Sequence, residues 1–200
     1  VHWLFVLCVA ISWWSAEEHM MDVHRYSGYT LLGLVVFRIY WGFAGSATAR
    51  FAQFVRGPKA IAEYLRNPPV PPPAGHNPLG GWSVVVLITL LAAQVILGLF
   101  VTDIDGLESG PLSYLVSFDT SRVLAEIHEV VFNVLLGFIA LHIAAVLFYL
   151  LVRKNNLIGA MFTGRRPAEA VAAPATLVSM WRVVPGVILA AIVVWYVATV

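Results

Sequence analysis

Residues 127–152 read IHEVVFNVLLGFIALHIAAVLFYLLV, with one carboxylate, Glu129, and no Lys, Arg or Asp. A helix needs roughly 20 apolar residues to cross a bilayer, and this run is longer than that. It has company. Residues 28–44, extended at their start by 24–27, and residues 82–101 are two further full spans. Residues 1–16 are short for a span and are expected to belong to a helix that begins upstream. Residues 183–200 are expected to form a last helix that continues downstream, with Pro185 tolerable in its first turn. The opening VHWLFVLCVAISWW has neither a basic leading region nor a small-residue cleavage site, so it is expected to be a span and not a signal peptide.

Composition agrees with the spans. The chain is 60% hydrophobic and 12% charged, against about 25% charged in soluble domains. The reading is an integral membrane protein of one compact domain. A net charge of +1 offers no global basic field for nucleic acid. Cys8 is the only cysteine. That excludes an internal disulfide, a CxxC redox pair, a zinc–thiolate cluster and the CxxCH that attaches a c-type haem.

The connecting segments sort by charge. Arg50, Arg56, Lys59 and Arg66 follow the second apolar segment, against Glu63 alone. Arg153, Lys154, Arg165, Arg166 and Arg182 follow the fourth, against Glu169 alone. The other two loops carry Glu17, Glu18, Asp22 and Arg25, then Asp103, Asp105, Glu108, Asp119 and Arg122. Lys/Arg excess marks the cytoplasmic side. The basic loops 45–81 and 153–182 are therefore expected in the cytoplasm, with the first helix starting inside and helices one to four alternating.

Residues 49–66, ARFAQFVRGPKAIAEYLR, mix aromatic, aliphatic and basic side chains. They resemble two interfacial helices lying on the inner leaflet, broken at Gly57-Pro58. PPVPPP at 68–73 predicts a stiff spacer. GHNPLGGW at 75–82 leads into the third span, with Asn-Pro and Gly-Gly as turn signals. The expected fold is all-α: a polytopic transmembrane helical bundle with a four-helix core over 1–152, including the inner-face loop 46–81. A basic linker over 153–182 and a fifth transmembrane helix over 183–200 complete it.

Two histidines interrupt the fourth apolar run. His128 and His142 are 14 residues apart, which falls within roughly 40° of a whole number of turns and about 21 Å along the axis. Both lie on one helix face, at opposite membrane depths. The topology puts His24, at the outer end of the second helix, level with His128. It puts His2, at the inner end of the first, level with His142. Two layers of paired histidines result.

Ionisable side chains inside a membrane are costly and mark function by default. Two imidazoles from different helices with a flat hydrophobic group between them make a six-coordinate b-type haem. With both axial positions filled, electron transfer is the chemistry left to the iron. One such histidine is as readily a hydrogen-bonded core residue; four in two matched layers favour haem. Zinc fits less well: HEVVF at 128–132 has Phe132 where HExxH needs histidine, and no carboxylate lies near His142. A proton channel or transporter using the histidines as a relay is the rival from another class. A structural subunit of a larger complex is a third.

Arg38 lies 14 residues after His24 and shares its face, so it can pair with a haem propionate or snorkel to the interface. Arg25, beside His24, can do the same at the outer layer. Gly28 and Gly137 leave room for a porphyrin or for helix contact. Asn133 and Gln94 are polar candidates without a role. His19 and His76 fall in loops.

The segments VHW (1–3), HRYSGY (24–29), FRIYWGF (37–43), FVRGP (54–58), GHNPLGGW (75–82), IHEVVFN (127–133) and LH (141–142) together resemble the bacterial cytochrome b561 family. This family of di-haem membrane cytochromes includes the cytochrome b subunits of nickel–iron hydrogenases. The resemblance covers nearly everything from residue 1 to 166. It implies two haem b groups, with axial pairs His24–His128 (outer) and His2–His142 (inner), and a quinone as membrane partner. It also implies a periplasmic c-type cytochrome or redox enzyme subunit as the other partner, in the bacterial inner membrane. The expected activity is electron transfer between that partner and the quinone pool, as a cytochrome b or a subunit of a quinone oxidoreductase. The narrower alternative is the membrane anchor of a nickel–iron hydrogenase. Four helices suffice for the family core, so the fifth is an addition.

Overall fold

A computed structural model describes residues 1–67, 77–163 and 179–200. PPVPPP, His76, Arg165, Arg166 and Glu169 lie outside the described residues. Within them the regular structure is helical: α1 (His2–Glu17), α2 (Met21–Ala44), α3 (Phe51–Phe54), α4 (Pro58–Arg66), α5 (Pro78–Gly98), α6 (Phe118–Leu151), α7 (Leu157–Thr163) and α8 (Val183–Thr199). In a bilayer every backbone polar group must be satisfied internally, and helices do that within one segment.

Three described stretches are long and apolar enough to cross a membrane: Pro78–Gly98, Phe118–Leu151 and Met180–Thr199. Two of these overlap the expected spans 82–101 and 127–152, the first ending at Gly98 and so three residues early. The third overlaps the expected fifth helix at 183–200. The span expected at 28–44 lies within α2, which is 24 residues long but carries Asp22, Arg25 and Arg38. α1, at 16 residues, is short of a span by itself.

Local chemistry moved two boundaries. α6 begins nine residues before Ile127, so Asp119 and Arg122 are helical where a loop was expected. Ser117 caps its start, its Oγ accepting from the Thr120 N–H at 3.2 Å. Gly80-Gly81, expected as a turn, lies inside the first turn of α5. Asn77 caps that helix by accepting from Gly80 N–H at 2.7 Å, and Pro78 takes the first position, where no amide hydrogen is needed. Gly81 is required there by packing: a Cβ would come within 2.6 Å of Phe54 O. The interfacial segment forms two helices, α3 and α4, separated at Val55–Gly57.

The chain forms two compact units. The first comprises Val1–Trp41, Ile88–Val134 and Ser179–Val200. Its core gathers Cys8 of α1, Leu31 and Leu32 of α2, Val95 of α5 and Val197 of α8. α8 lies close on α2. A Cβ on Gly186 would come within 2.5 Å of the Tyr40 ring and 3.2 Å of Phe37, and one on Gly33 within 3.2 Å of Val194. Tyr40 also donates to Arg182 O at 3.0 Å. The segment between α5 and α6 folds back on itself through a bridge between Thr102 and Ser109 and a left-handed Gly106, φ 72°. Ser121 Oγ, within 2.6 Å of both Phe100 O and Thr102 Oγ1, ties that segment to α6.

The second unit comprises Gly42–Leu87 and Leu135–Val178. Here Phe51 packs on Gly42 and, edge-on, on Phe43 and Phe54. Trp82 Nε1 donates to Arg56 O at 2.9 Å, fastening the short helices to α5.

Candidate haem-binding site

In the first unit His24 of α2 and His128 of α6 face each other with ring centroids 6.3 Å apart and ring planes at 76°. Each is held by a different polar device. His24 Nδ1 lies 2.8 Å from the carbonyl oxygen of Ser12. A carbonyl only accepts, so Nδ1 carries the hydrogen and Nε2 presents its lone pair. That is the arrangement of a metal-ligating histidine, whose second nitrogen donates to a carbonyl and so fixes tautomer and ring orientation.

Serines set this contact between α1 and α2. Ser27 Oγ donates to His24 O at 2.9 Å. Its hydrogen is thereby used, so Ser12 is the donor in the 2.6 Å bond between Ser12 Oγ and Ser27 Oγ. Ser15, fully buried, donates to Ser12 O at 3.1 Å.

His128 meets Gln94 of α5, whose side-chain nitrogen lies 3.0 Å from His128 Nε2. His128 Nδ1 and Gln94 Oε1 are buried and have no hydrogen-bond partner among the described residues. Leaving such atoms unsatisfied costs about 1–3 kcal/mol each. Gly98, one turn beyond Gln94, makes room for the imidazole: a Cβ there would lie 3.0 Å from His128 Cε1.

These residues fit a bis-histidine haem. Two metal–imidazole bonds of about 2 Å each, plus the half-widths of two rings, put the centroids about 6 Å apart. With Gln94 Nε2 donating to His128 Nε2, the ring hydrogen sits on Nδ1; turning the amide over would let Gln94 Oε1 accept from Nε2–H and leave the Nδ1 lone pair for a metal. Gly28, one turn after His24, has nothing within 4 Å of a built Cβ.

Arg25, next to His24, is engaged by carboxylates: Asp22 at 2.7 Å and Glu108 at 3.4 Å. The second of these ties the α5–α6 segment to the start of α2. Arg38 is partly buried on α2.

The other two predicted ligands belong to different units. His2 lies in the first turn of α1 in the first unit, beside Trp3 at 5.2 Å. His142 lies in α6 in the second, with Ser83 Oγ 3.4 Å from its Nδ1. Gly137 too has nothing within 4 Å of a built Cβ. His19, φ 56°, turns the chain between α1 and α2 and is exposed.

Sequence reasoning missed Ser12, Ser27 and Gly98 and left Gln94 without a role. Ser27 had a usable signal, one turn after His24 on an apolar helix. The Gln94–His128 contact joins residues 34 apart, and no local pattern announces it.

Comparison with curated proteins and with solved structures gave no match. The family model of prokaryotic cytochrome b561 matches residues 1–164. That stretch takes in all four predicted histidine ligands and stops short of α8, and the chain belongs to the prokaryotic cytochrome b561 family.

Proposed function

We propose that this protein, a transmembrane b-type haem electron carrier by family, holds two haems and passes electrons between a periplasmic redox partner and the membrane quinone pool. The observation that carries the reading is the His24–His128 pair, 6.3 Å apart with the His24 tautomer set by Ser12 O. His24 and His128 would hold the outer haem and His2 and His142 the inner one. Bound haem would supply reversible one-electron chemistry at iron, and two histidines held as its ligands would keep oxygen and substrate off the metal.

The chain's own residues supply the rest. Ser12 and Ser27 orient His24; Gln94 and Gly98 set the position of His128. The apolar faces of α1, α2, α5 and α8 exclude water. The segment joining α5 and α6 brings Asp103, Asp105 and Glu108 close to the outer pair through the Arg25–Glu108 contact. Such an acidic surface suits a basic donor, because complementary charge steers encounter. The orientation is supported by the Lys/Arg excess of 45–81 and 153–182, the pattern of cytoplasmic loops.

The test is a reduced-minus-oxidised absorption spectrum of the purified protein with haem quantified per chain. About two b haems per chain is the expected result. A single haem would sink the inner layer, the His2–His142 pair. A well-folded colourless protein would overturn the reading in favour of a histidine relay.

A further inference from the structure

The second unit contains a polar cluster with no part in haem ligation. Tyr64 of α4 and Tyr149 of α6 have their hydroxyl oxygens 2.8 Å apart. Asn77, at the head of α5, donates to both, at 3.1 Å to Tyr64 and 2.8 Å to Tyr149. Three helix ends thus converge on two phenols.

Counting hydrogens shows what the cluster offers. Asn77 spends its amide hydrogens on the two phenols and its oxygen on Gly80 N. The phenols own two hydrogens. One is used between them; the other has no acceptor among the described residues. An amide and two phenols therefore leave one spare O–H donor, whose natural complement is a carbonyl oxygen.

The surroundings select the class of carbonyl compound. Phe148 packs edge-on against Tyr149, centroids 6.0 Å apart, and Phe148, Leu151 and Leu65 are exposed apolar side chains at this end of the unit. A ligand arriving here meets these apolar side chains, with the Arg153 guanidinium near enough to Tyr149 to act on it electrostatically and to favour a partly negative carbonyl oxygen. α5 and α6 meet again at Ser83–His142, 3.4 Å apart. Tyr149 follows His142 by two turns, about 10 Å of helix rise, on the same side of α6.

We propose that Tyr64, Tyr149 and Asn77 form a head-group site for a membrane quinone, one quinone carbonyl accepting the spare tyrosine O–H while the isoprenoid tail lies against Phe148 and Leu151. The assignment rests on the electron-transfer reading above and supplies the place of its lipid-soluble partner. The site is built from side chains that a polar loop would not need: an interfacial helix can be anchored by one hydrogen bond, and this one closes a three-residue network.

The experiment is equilibrium binding of two probes, menadione and a short-chain benzoquinone, to the purified haem-loaded protein. Tyr64→Phe/Tyr149→Phe is expected to weaken the probe that binds by at least tenfold, with haem content and the reduced-minus-oxidised spectrum unchanged. Undiminished affinity in that variant overturns the site, as does failure of both probes to bind the unsubstituted protein. Should the double variant fail to fold, Tyr149→Phe alone is read: a several-fold loss supports the site and an unchanged affinity overturns it. Haem content reports separately on the cytochrome reading, so a colourless protein that still binds quinone at these residues would sink that reading and leave the site standing.

Discussion

His24 donates its Nδ1 hydrogen to Ser12 O at 2.8 Å, so a backbone carbonyl of α1 decides which nitrogen of an α2 histidine keeps its lone pair. Orientation of this ligand depends on the α1–α2 crossing and its serines, Ser12, Ser15 and Ser27.

Replacing either histidine of the pair tests the layer directly. His24→Ala and His128→Ala should each leave about half the haem of the unsubstituted protein. The measurement is haem per chain in membranes and after purification. Retention of both haems in either variant would show that the two rings do not share one iron.

Gln94→Leu should leave both haems bound and move the midpoint potential of one. A coordinated imidazole can only donate from its second nitrogen, so with the Gln94 amide turned over from its nitrogen-in arrangement its oxygen would accept from His128 Nε2–H and strengthen the ligand. Losing an interaction worth about 1 kcal/mol moves a one-electron couple upward by about 40 mV. A redox titration resolving two components reads it; two unmoved components would remove Gln94 from the site.

Gly98→Leu should act on the same haem through sterics. A Cβ at this position already lies 3.0 Å from His128 Cε1, and the added branch has to push the ring aside. The expected outcome is lower haem occupancy and a lower apparent melting temperature, with overpacking costing about 1–3 kcal/mol. Full occupancy with unchanged melting would mean that the ring moves freely.

Gly186→Leu separates α8 from the haem site. Its Cβ would come within 2.5 Å of the Tyr40 ring, forcing α8 away from α2 at about 1–3 kcal/mol. The apparent melting temperature should fall while the haem spectrum keeps its form, because α8 lies outside the matched family region and holds no ligand. A lost or altered haem would give α8 a part in the site itself.

The sequence by itself determined the helical membrane character and the family. Those follow from local quantities: transfer of an apolar run into lipid is a property of that run, and a helix closes its own hydrogen bonds. Helix boundaries were less legible where capping mattered. Ser117 started α6 nine residues early, and Asn77 with Pro78 drew Gly80-Gly81 into α5. The tertiary structure alone decided that Ser12 O reaches His24, that Gly98 and Gln94 meet His128, that α8 lies on α2 through Gly186, and that Tyr64 closes on Tyr149 and Asn77. Each joins side chains far apart in the chain. Which of them meet depends on the rotation and depth of one helix against another, and close packing of whole faces sets that where no single segment can.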